Sequence, residues 1–390
     1  MFIKRTAEKT FKELLRQYPV VVVTGPRQSG KTTLVRHACP DKPYVLLEDL
    51  DTRQFALDDP RGFLAQFPDG AIFDEVQRCP DLFSYLQGIV DSDQRPGLFV
   101  LTGSQQFTLR SGISQTLAGR VALLPLLPFS LSALDGVDLV PESLAELLWK
   151  GCYPPLYDRG YDPGNWCGNY VRTYIERDVR QLINVRDLST FQRFLRLCAG
   201  RSGQLVNLSS LAGDCGVTHN TAKSWLTVLE ASYIVYMLQP HHQNFNKRLV
   251  KTPKLYFLDT GLATWLLGIH EPEQLALHPL YGSIFETWVV GECLKARWQQ
   301  ALESNLYFWR DRSGHEIDLL IDHGQHIQPV EIKSGQTVAS DFLRPIRRWQ
   351  KLAGEASGRA TLVYGGREQQ RRSDCSVVPW RGLSELTNSL

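Results

Sequence analysis

Read for its apolar and polar positions, the chain falls into runs of two periods. Val20-Val21-Val22-Val23, Ala71-Ile72-Phe73 and Leu98-Phe99-Val100-Leu101 are unbroken apolar stretches, the mark of parallel strands buried on both faces. Tyr44-Val45-Leu46-Leu47 is another, closed by Glu48 and Asp49. Between these runs the period lengthens to that of helices. Phe11, Leu14 and Leu15 share one face of a helix over about residues 4–17, and residues 33–39 form a helical run that Pro40 stops. Strand alternating with helix predicts a parallel α/β sheet.

The pattern changes after a turn-rich stretch, Gly151-Cys152-Tyr153-Pro154-Pro155 and Asp162-Pro163-Gly164, which puts a domain boundary within about residues 140–165. Residues 170–187 then read as a charge-laced helix. Residues 207–216 read as a helix closed by Gly216, and Thr218-His219-Asn220-Thr221 as the N-cap of a second helix over 222–232 with Trp225, Leu226 and Leu229 inward. Helix, short glycine turn, helix is a helix-turn-helix pattern, and the apolar runs 233–238 and 254–258 would be the strands of a wing. Beyond 276 the pattern predicts a helix through residues 285–292, a strand over 306–310, and two strands, 315–322 and 327–333, around His323-Gly324-Gln325. The expected division is therefore 1–150, 151–275 and 276–390.

Composition narrows the picture without deciding it. At 390 residues the chain is too long for one core. With 43% hydrophobic and 22% charged residues it has the composition of an ordinary globular protein. A net charge of +2 gives no global field toward nucleic acid, so any basic patch must be local. Eight cysteines without a C-x-x-C pair argue for reduced thiols in a cytoplasmic setting and against a zinc site. No apolar run reaches bilayer length, so no membrane partner is expected.

The chemistry begins at Gly25-Pro26-Arg27-Gln28-Ser29-Gly30-Lys31-Thr32-Thr33, set between the first strand and a helix. That context gives the G-x-x-x-x-G-K-T pattern meaning as a nucleotide site. Gly25 and Gly30 let the backbone wrap a phosphate, Lys31 supplies a point charge to the β/γ-phosphates, and Thr32 can hold Mg²⁺. Asp74 and Glu75 close the third apolar run. Asp74 suits the Mg²⁺ shell, and Glu75 suits polarising the attacking water. Thr102 and Ser104, at the end of the next strand, are placed to sense the γ-phosphate or simply to terminate the strand. Arg120 would complete charge neutralisation, in its own subunit or a neighbour's, or end a helix in solvent.

These segments, with Ile72-Phe73-Asp74-Glu75-Val76-Gln77, Leu101-Thr102-Gly103-Ser104, Leu117-Ala118-Gly119-Arg120-Val121, Tyr174-Ile175-Glu176-Arg177-Asp178-Val179 and Asp259-Thr260-Gly261-Leu262-Ala263, resemble the prokaryotic AAA-type ATPases that carry a C-terminal domain called DUF4143. The resemblance spans about residues 19–350. It implies Walker A, Walker B and sensor roles for the first segments, a sheet of five core strands, and ATP with Mg²⁺. It also implies a homo-oligomer, since sites of this type usually lie between subunits, with Arg120 or an arginine of the 170–186 helix acting in trans.

The remainder reads less sharply. The second helix of the helix-turn-helix offers His219, Asn220 and Thr221 but one cation, Lys223; Lys247, Arg248, Lys251 and Lys254 lie in the wing. That layout suits contact with DNA or RNA phosphates, or a winged helix used for packing. Glu286, Asp318, Glu331 and Lys333 resemble the restriction-endonuclease-like PD-(D/E)xK pattern, with Ile317 in the proline position. Strand alternation puts Glu331 and Lys333 on one face, where Asp318 and Glu286 would complete a Mg²⁺ site. The other reading is a salt-bridged polar face. Two functions follow: an ATPase driving a winged-helix and nuclease-like module on nucleic acid, or an ATP-switched regulator or scaffold whose nuclease-like domain is inactive. A small-molecule kinase is disfavoured by Glu75 directly after Asp74, which suits a water nucleophile.

Overall fold

The computed structural model describes residues 2–104, 117–175, 187–241 and 250–390. They form two compact units, one of residues 1–129 with 231–233 and 297–302, the other of 130–230, 234–296 and 303–390.

The first unit is built on a five-stranded parallel sheet in the order β2-β3-β4-β1-β5, where β1 is Val20–Thr24, β2 Tyr44–Leu46, β3 Ala71–Asp74, β4 Phe99–Gly103 and β5 Val121–Pro125. The four valines of β1 alternate between two cores, one on each side of the sheet. Val20 and Val22 join Phe73, Phe99 and Leu101. Val21 and Val23 join Phe11, Leu34, Ile72 and Val100. A strand loaded with branched apolar residues on both faces has nowhere stable except the middle of such a sandwich. β1 pairs with β4 on one side and β5 on the other, so its C-terminal end delivers the glycine loop to the centre of the sheet edge. This is the five-stranded sheet expected from the sequence.

The second unit holds the helix-turn-helix elements, Leu208–Cys215 and His219–Ala231. Gly216 closes the first helix in the left-handed conformation, and the Thr218 hydroxyl accepts from the Thr221 N–H at 3.1 Å. β7 (Val235–Leu238) and β8 (Lys254–Phe257) pair antiparallel, and β6 (Gln204–Leu205) adds to β8. Of the helix expected over 170–187, Tyr170 ends the α-helix Pro163–Tyr170 and Val171–Ile175 continues it as a π-helical turn, while 176–186, with Arg177, Arg180 and Arg186, lie outside the described residues.

A six-stranded mixed sheet, β13-β14-β12-β11-β10-β9, carries the C-terminal part. Its strands are β9 Leu306–Arg310, β10 Glu316–Asp322, β11 Ile327–Lys333, β12 Ala360–Tyr364, β13 Gln370–Arg371 and β14 Cys375–Pro379. β10 and β11 form the expected hairpin, with Leu319 opposite Val330, while β11 runs parallel to β12 from Val330 onward. Pro329 therefore precedes the first paired residue on the β12 side, where its missing N–H costs little. The eight cysteines are unbridged. No helix among the described residues is long and apolar enough to cross a membrane.

A buried carboxylate organises the middle of this unit. Asp259 accepts from the N–H groups of Cys152 at 2.7 Å and Leu262 at 3.0 Å. Gly151 is left-handed beside it, and a Cβ there would stand 2.4 Å from the carboxylate. Asp259→Ala leaves two buried donors without partners. It is expected to lower the unfolding free energy by roughly 2–4 kcal/mol, measured by urea titration of this unit's tryptophan fluorescence.

Candidate functional site

The glycine loop is shaped by what surrounds it. The Leu126 N–H donates to the Thr24 carbonyl at 2.7 Å. Gly25 follows at φ 147°, where a Cβ would lie 2.1 Å from the Leu126 oxygen. Only glycine fits so close to that backbone. Gly30, also left-handed, caps the helix Lys31–Ala38. The Lys31 ammonium is buried and donates to the carbonyls of Gly25 at 3.0 Å and Pro26 at 2.8 Å. Burial lowers its pKa to about 8 against the opposing pull of Glu75 and Asp74. Ser29 is fully buried, and its hydroxyl has no hydrogen-bond partner among the described residues.

Asp74, at the end of β3, gathers three hydroxyls. Thr32 donates to it at 2.7 Å and Tyr44 at 2.5 Å, and Thr102 donates to its other oxygen. Burial, then the Asp74 contact, raises the Tyr44 pKa, so the phenol remains a donor. Glu75 steps off the strand with φ 58°, an uncommon conformation for a side-chain-bearing residue. Its N–H donates to Thr102 Oγ1 at 3.4 Å, and its carboxylate accepts from Gln77 Nε2 at 2.5 Å and Ser104 Oγ at 3.3 Å. A buried lysine resting on neutral carbonyls, a partnerless serine hydroxyl and a carboxylate held by neutral donors are a donor set that fits a polyphosphate and its Mg²⁺.

A second charged cluster lies in the C-terminal part. Lys333 Nζ is 2.6 Å from Glu331 and 3.2 Å from Asp318, and the Ile332 N–H donates to Asp318 at 2.8 Å. Glu286, on the helix Tyr281–Trp298, accepts from Lys254 at 2.9 Å and Tyr256 at 2.5 Å. Lys254 also pairs with Glu316, which Arg310 meets at 3.0 Å. Oxygens of Glu286, Glu316 and Asp318 lie within 4.8 Å of one another, close enough to share a cation. Burial first, then the neighbouring Asp318, raises the pKa of Glu331, and burial likewise raises that of Glu286 although Lys254 opposes it. One Glu331 oxygen, Oε2, is buried without a partner among the described residues. Glu316, Asp318, Glu331 and Lys333 line a cavity of about 720 Å³ together with Arg344, Arg347, Arg348 and Lys351. Those four cations are on the exposed face of the helix Arg344–Ala353, whose Ile346 and Trp349 are buried.

Comparison with known proteins gives these sites a family. Residues 17–134 match an AAA domain, 281–383 match DUF4143, and 141–273 match another domain of unknown function, DUF8612. Over 382 residues the chain is 34% identical to the uncharacterized proteins Rv2008c of Mycobacterium tuberculosis and Mb2031c of Mycobacterium bovis, covering 96% of this chain and 83% of each relative. It belongs to the AAA-type ATPases that carry a C-terminal DUF4143 domain. Among solved structures, the Walker-type ATPase PABY2304 of Pyrococcus abyssi is 16% identical with a TM-score of 0.45, covering 68% of this chain and 96% of that one. AMPPCP-bound DnaA of Aquifex aeolicus is 14% identical with a TM-score of 0.29, covering 57% and 85%.

The ATPase differs from its sequence reading at one cation. Lys254 is not on the surface of a wing: it is buried, and although burial pulls its pKa down, Tyr256, Glu286 and Glu316 hold it well above the usual value. It opens the expected strand, opposite Leu238 and Leu205 at the start of β8, but is buried there rather than exposed on the wing. Lys251 is exposed; Lys247 and Arg248 lie outside the described residues. Arg120 pairs with Asp91 and with the Ala118 carbonyl, not with the glycine loop.

Two site residues escaped the sequence reading. Gln77 follows the acidic pair by two positions, and nothing in its spacing marks it. Arg5 is buried and reaches the carbonyls of Ser29 at 3.1 Å, Pro128 at 3.2 Å and Leu127, its guanidinium 4.7 Å over Phe129. Arg5→Met removes these bonds to the back of the loop. The change is expected to destabilise the ATPase unit by roughly 2–4 kcal/mol, read as a lower urea midpoint, and to weaken nucleotide binding in fluorescence titration.

Proposed function

We propose that this ATPase hydrolyses ATP at the loop formed by residues 25–33. The carrying observation is the convergence of buried Lys31, Thr32, Asp74 and Glu75 at one end of β1 and β3. In this reading the loop N–H groups and Lys31 take the phosphates, and Thr32 and Asp74 would hold Mg²⁺, which supplies charge neutralisation at the β/γ-oxygens. Glu75 orients the attacking water, and Gln77 and Ser104 hold its carboxylate until nucleotide enters. Thr102 ties the same strand end to Asp74, which suits a γ-phosphate sensor. Lys31→Ala is expected to abolish ATP binding. Glu75→Gln is expected to keep affinity within a few-fold while turnover falls by about 10² or more. Equal loss of affinity in both variants would reassign Glu75.

We further infer that the ATPase works as a homo-oligomer and that ATP turnover is coupled to nucleic acid. Three segments carry the work: the ATPase domain of 1–150, a winged-helix segment within 151–275, and a nuclease-like domain from 276 onward. Supporting this are the helix-turn-helix with its hairpin, and the cleft that sets four exposed cations of the 344–351 stretch above Asp318 and Glu331. A polyanion backbone suits that rim. Turnover measured with and without DNA and RNA tests the coupling, and light scattering with a non-hydrolysable ATP analogue tests assembly.

A second reading is favoured by Lys254. Its ammonium sits among the carboxylates that a divalent ion would use, as it would in a switch or scaffold that binds nucleic acid without cutting it. Calorimetry with Mn²⁺ separates the two. The switch reading expects no heat from the intact protein and a new site in Lys254→Met; metal-dependent cleavage expects binding by the intact protein, lost in Asp318→Ala.

A further inference from the structure

The helix His219–Ala231 ends in an unusual way. The Ile234 N–H donates to the Leu229 carbonyl at 2.9 Å, the outer bond of a Schellman cap. Tyr233 therefore occupies the left-handed position, with φ 58°, where glycine is usual. A side chain there costs about 1 kcal/mol or more, so the ring must be held by something.

What holds it is the entrance of the phosphate loop. Tyr233 is buried, and its hydroxyl lies 2.7 Å from Thr24 Oγ1, also buried. The Trp298 ring packs edge-on against it at 5.9 Å. Residues 231–233 and 297–302 belong to the same compact unit as the loop. Thr24 is the last residue of β1, its carbonyl takes the Leu126 N–H, and Gly25 beyond it presents the carbonyl on which Lys31 rests. The chain of contacts runs from the Tyr233 phenol through Thr24 and Gly25 to the Lys31 ammonium.

We propose that Tyr233 is a positioning residue for ATP hydrolysis, fixing the entry of the phosphate loop through its hydrogen bond to Thr24. This rests on the 25–33 loop being the hydrolytic site. The reason is geometric. A strand end anchored only by its backbone pairs can shift by a fraction of an ångström, and small displacements of a phosphate-holding loop reduce turnover more than they reduce ground-state binding.

The test is a double-mutant cycle on ATP turnover by the full chain, using Tyr233→Phe and Thr24→Val, which remove one hydroxyl each with little change of shape. Each single variant is expected to lose about tenfold in kcat with KM changed less than threefold. The double variant is expected to lose no more than the weaker single. Thr24→Ser, which keeps the hydroxyl, is expected to restore kcat to within twofold of the intact protein. The proposal is overturned if both singles keep kcat within twofold, if their losses multiply in the double variant, or if Thr24→Ser is as impaired as Thr24→Val. Failure of the underlying site assignment looks different: Lys31→Ala would then retain turnover.

Discussion

Asp74 is the point on which the ATPase unit turns. Its carboxylate takes hydroxyls from Tyr44 on β2, Thr102 on β4 and Thr32 on the helix after the loop. Two neighbouring strands and a helix are thereby referenced to one residue at the end of β3. Hydrogen bonds to an ionised acceptor are about twice as strong as neutral ones, and here they do more than stabilise. All three donors are neutral, so the negative charge is shaped without being cancelled. A carboxylate already paired with arginine would have less to offer a cation. The loop shows the complementary economy: Lys31 rests on carbonyl dipoles rather than on an acid, so its charge stays available for phosphate.

The parts of this arrangement legible in the sequence are those that follow from covalent or period constraints. The valine run of β1 had one stable location, and Gly25 sits where any Cβ would strike the Leu126 carbonyl. The acidic pair at the end of an apolar run marked β3 and its rim. Arg5 is illegible because it meets carbonyls more than 120 residues on, and Gln77 because only the folded strand end brings its amide onto Glu75 beside Ser104. Lys254 was misread for a related reason. Its place at the start of a wing strand is legible but its inward direction is not, since only the long-range meeting with Glu286 and Glu316 makes burial of an ammonium tolerable.

The second unit also sets buried charged groups against backbone donors. Asp259 satisfies the N–H groups of a turn and a helix start. Glu292, buried with Lys295 at 2.7 Å, accepts the Leu131 N–H at 2.8 Å. Each is a charged group spent on backbone donors that no apolar residue could satisfy. Buried charge in this protein is thus not by itself a sign of chemistry, and the C-terminal cluster must be judged on what distinguishes it.

Two features do. Asp259 and the Glu292–Lys295 pair are enclosed, whereas Asp318, Glu331 and Lys333 line an open cavity rimmed by Arg344, Arg347, Arg348 and Lys351. One buried oxygen of Glu331 also has no partner among the described residues, in a group that otherwise accepts from Lys333. Against this stands the cation supply. Lys254, Lys333 and Arg310 face Glu286, Glu316, Asp318 and Glu331, and burial favours the neutral form of Glu286 and Glu331. Protonating one of those two would bring the cluster to electrical balance with no further cation. A divalent ion entering here would compete with the Lys254 ammonium for the same carboxylates, and its affinity would carry that cost.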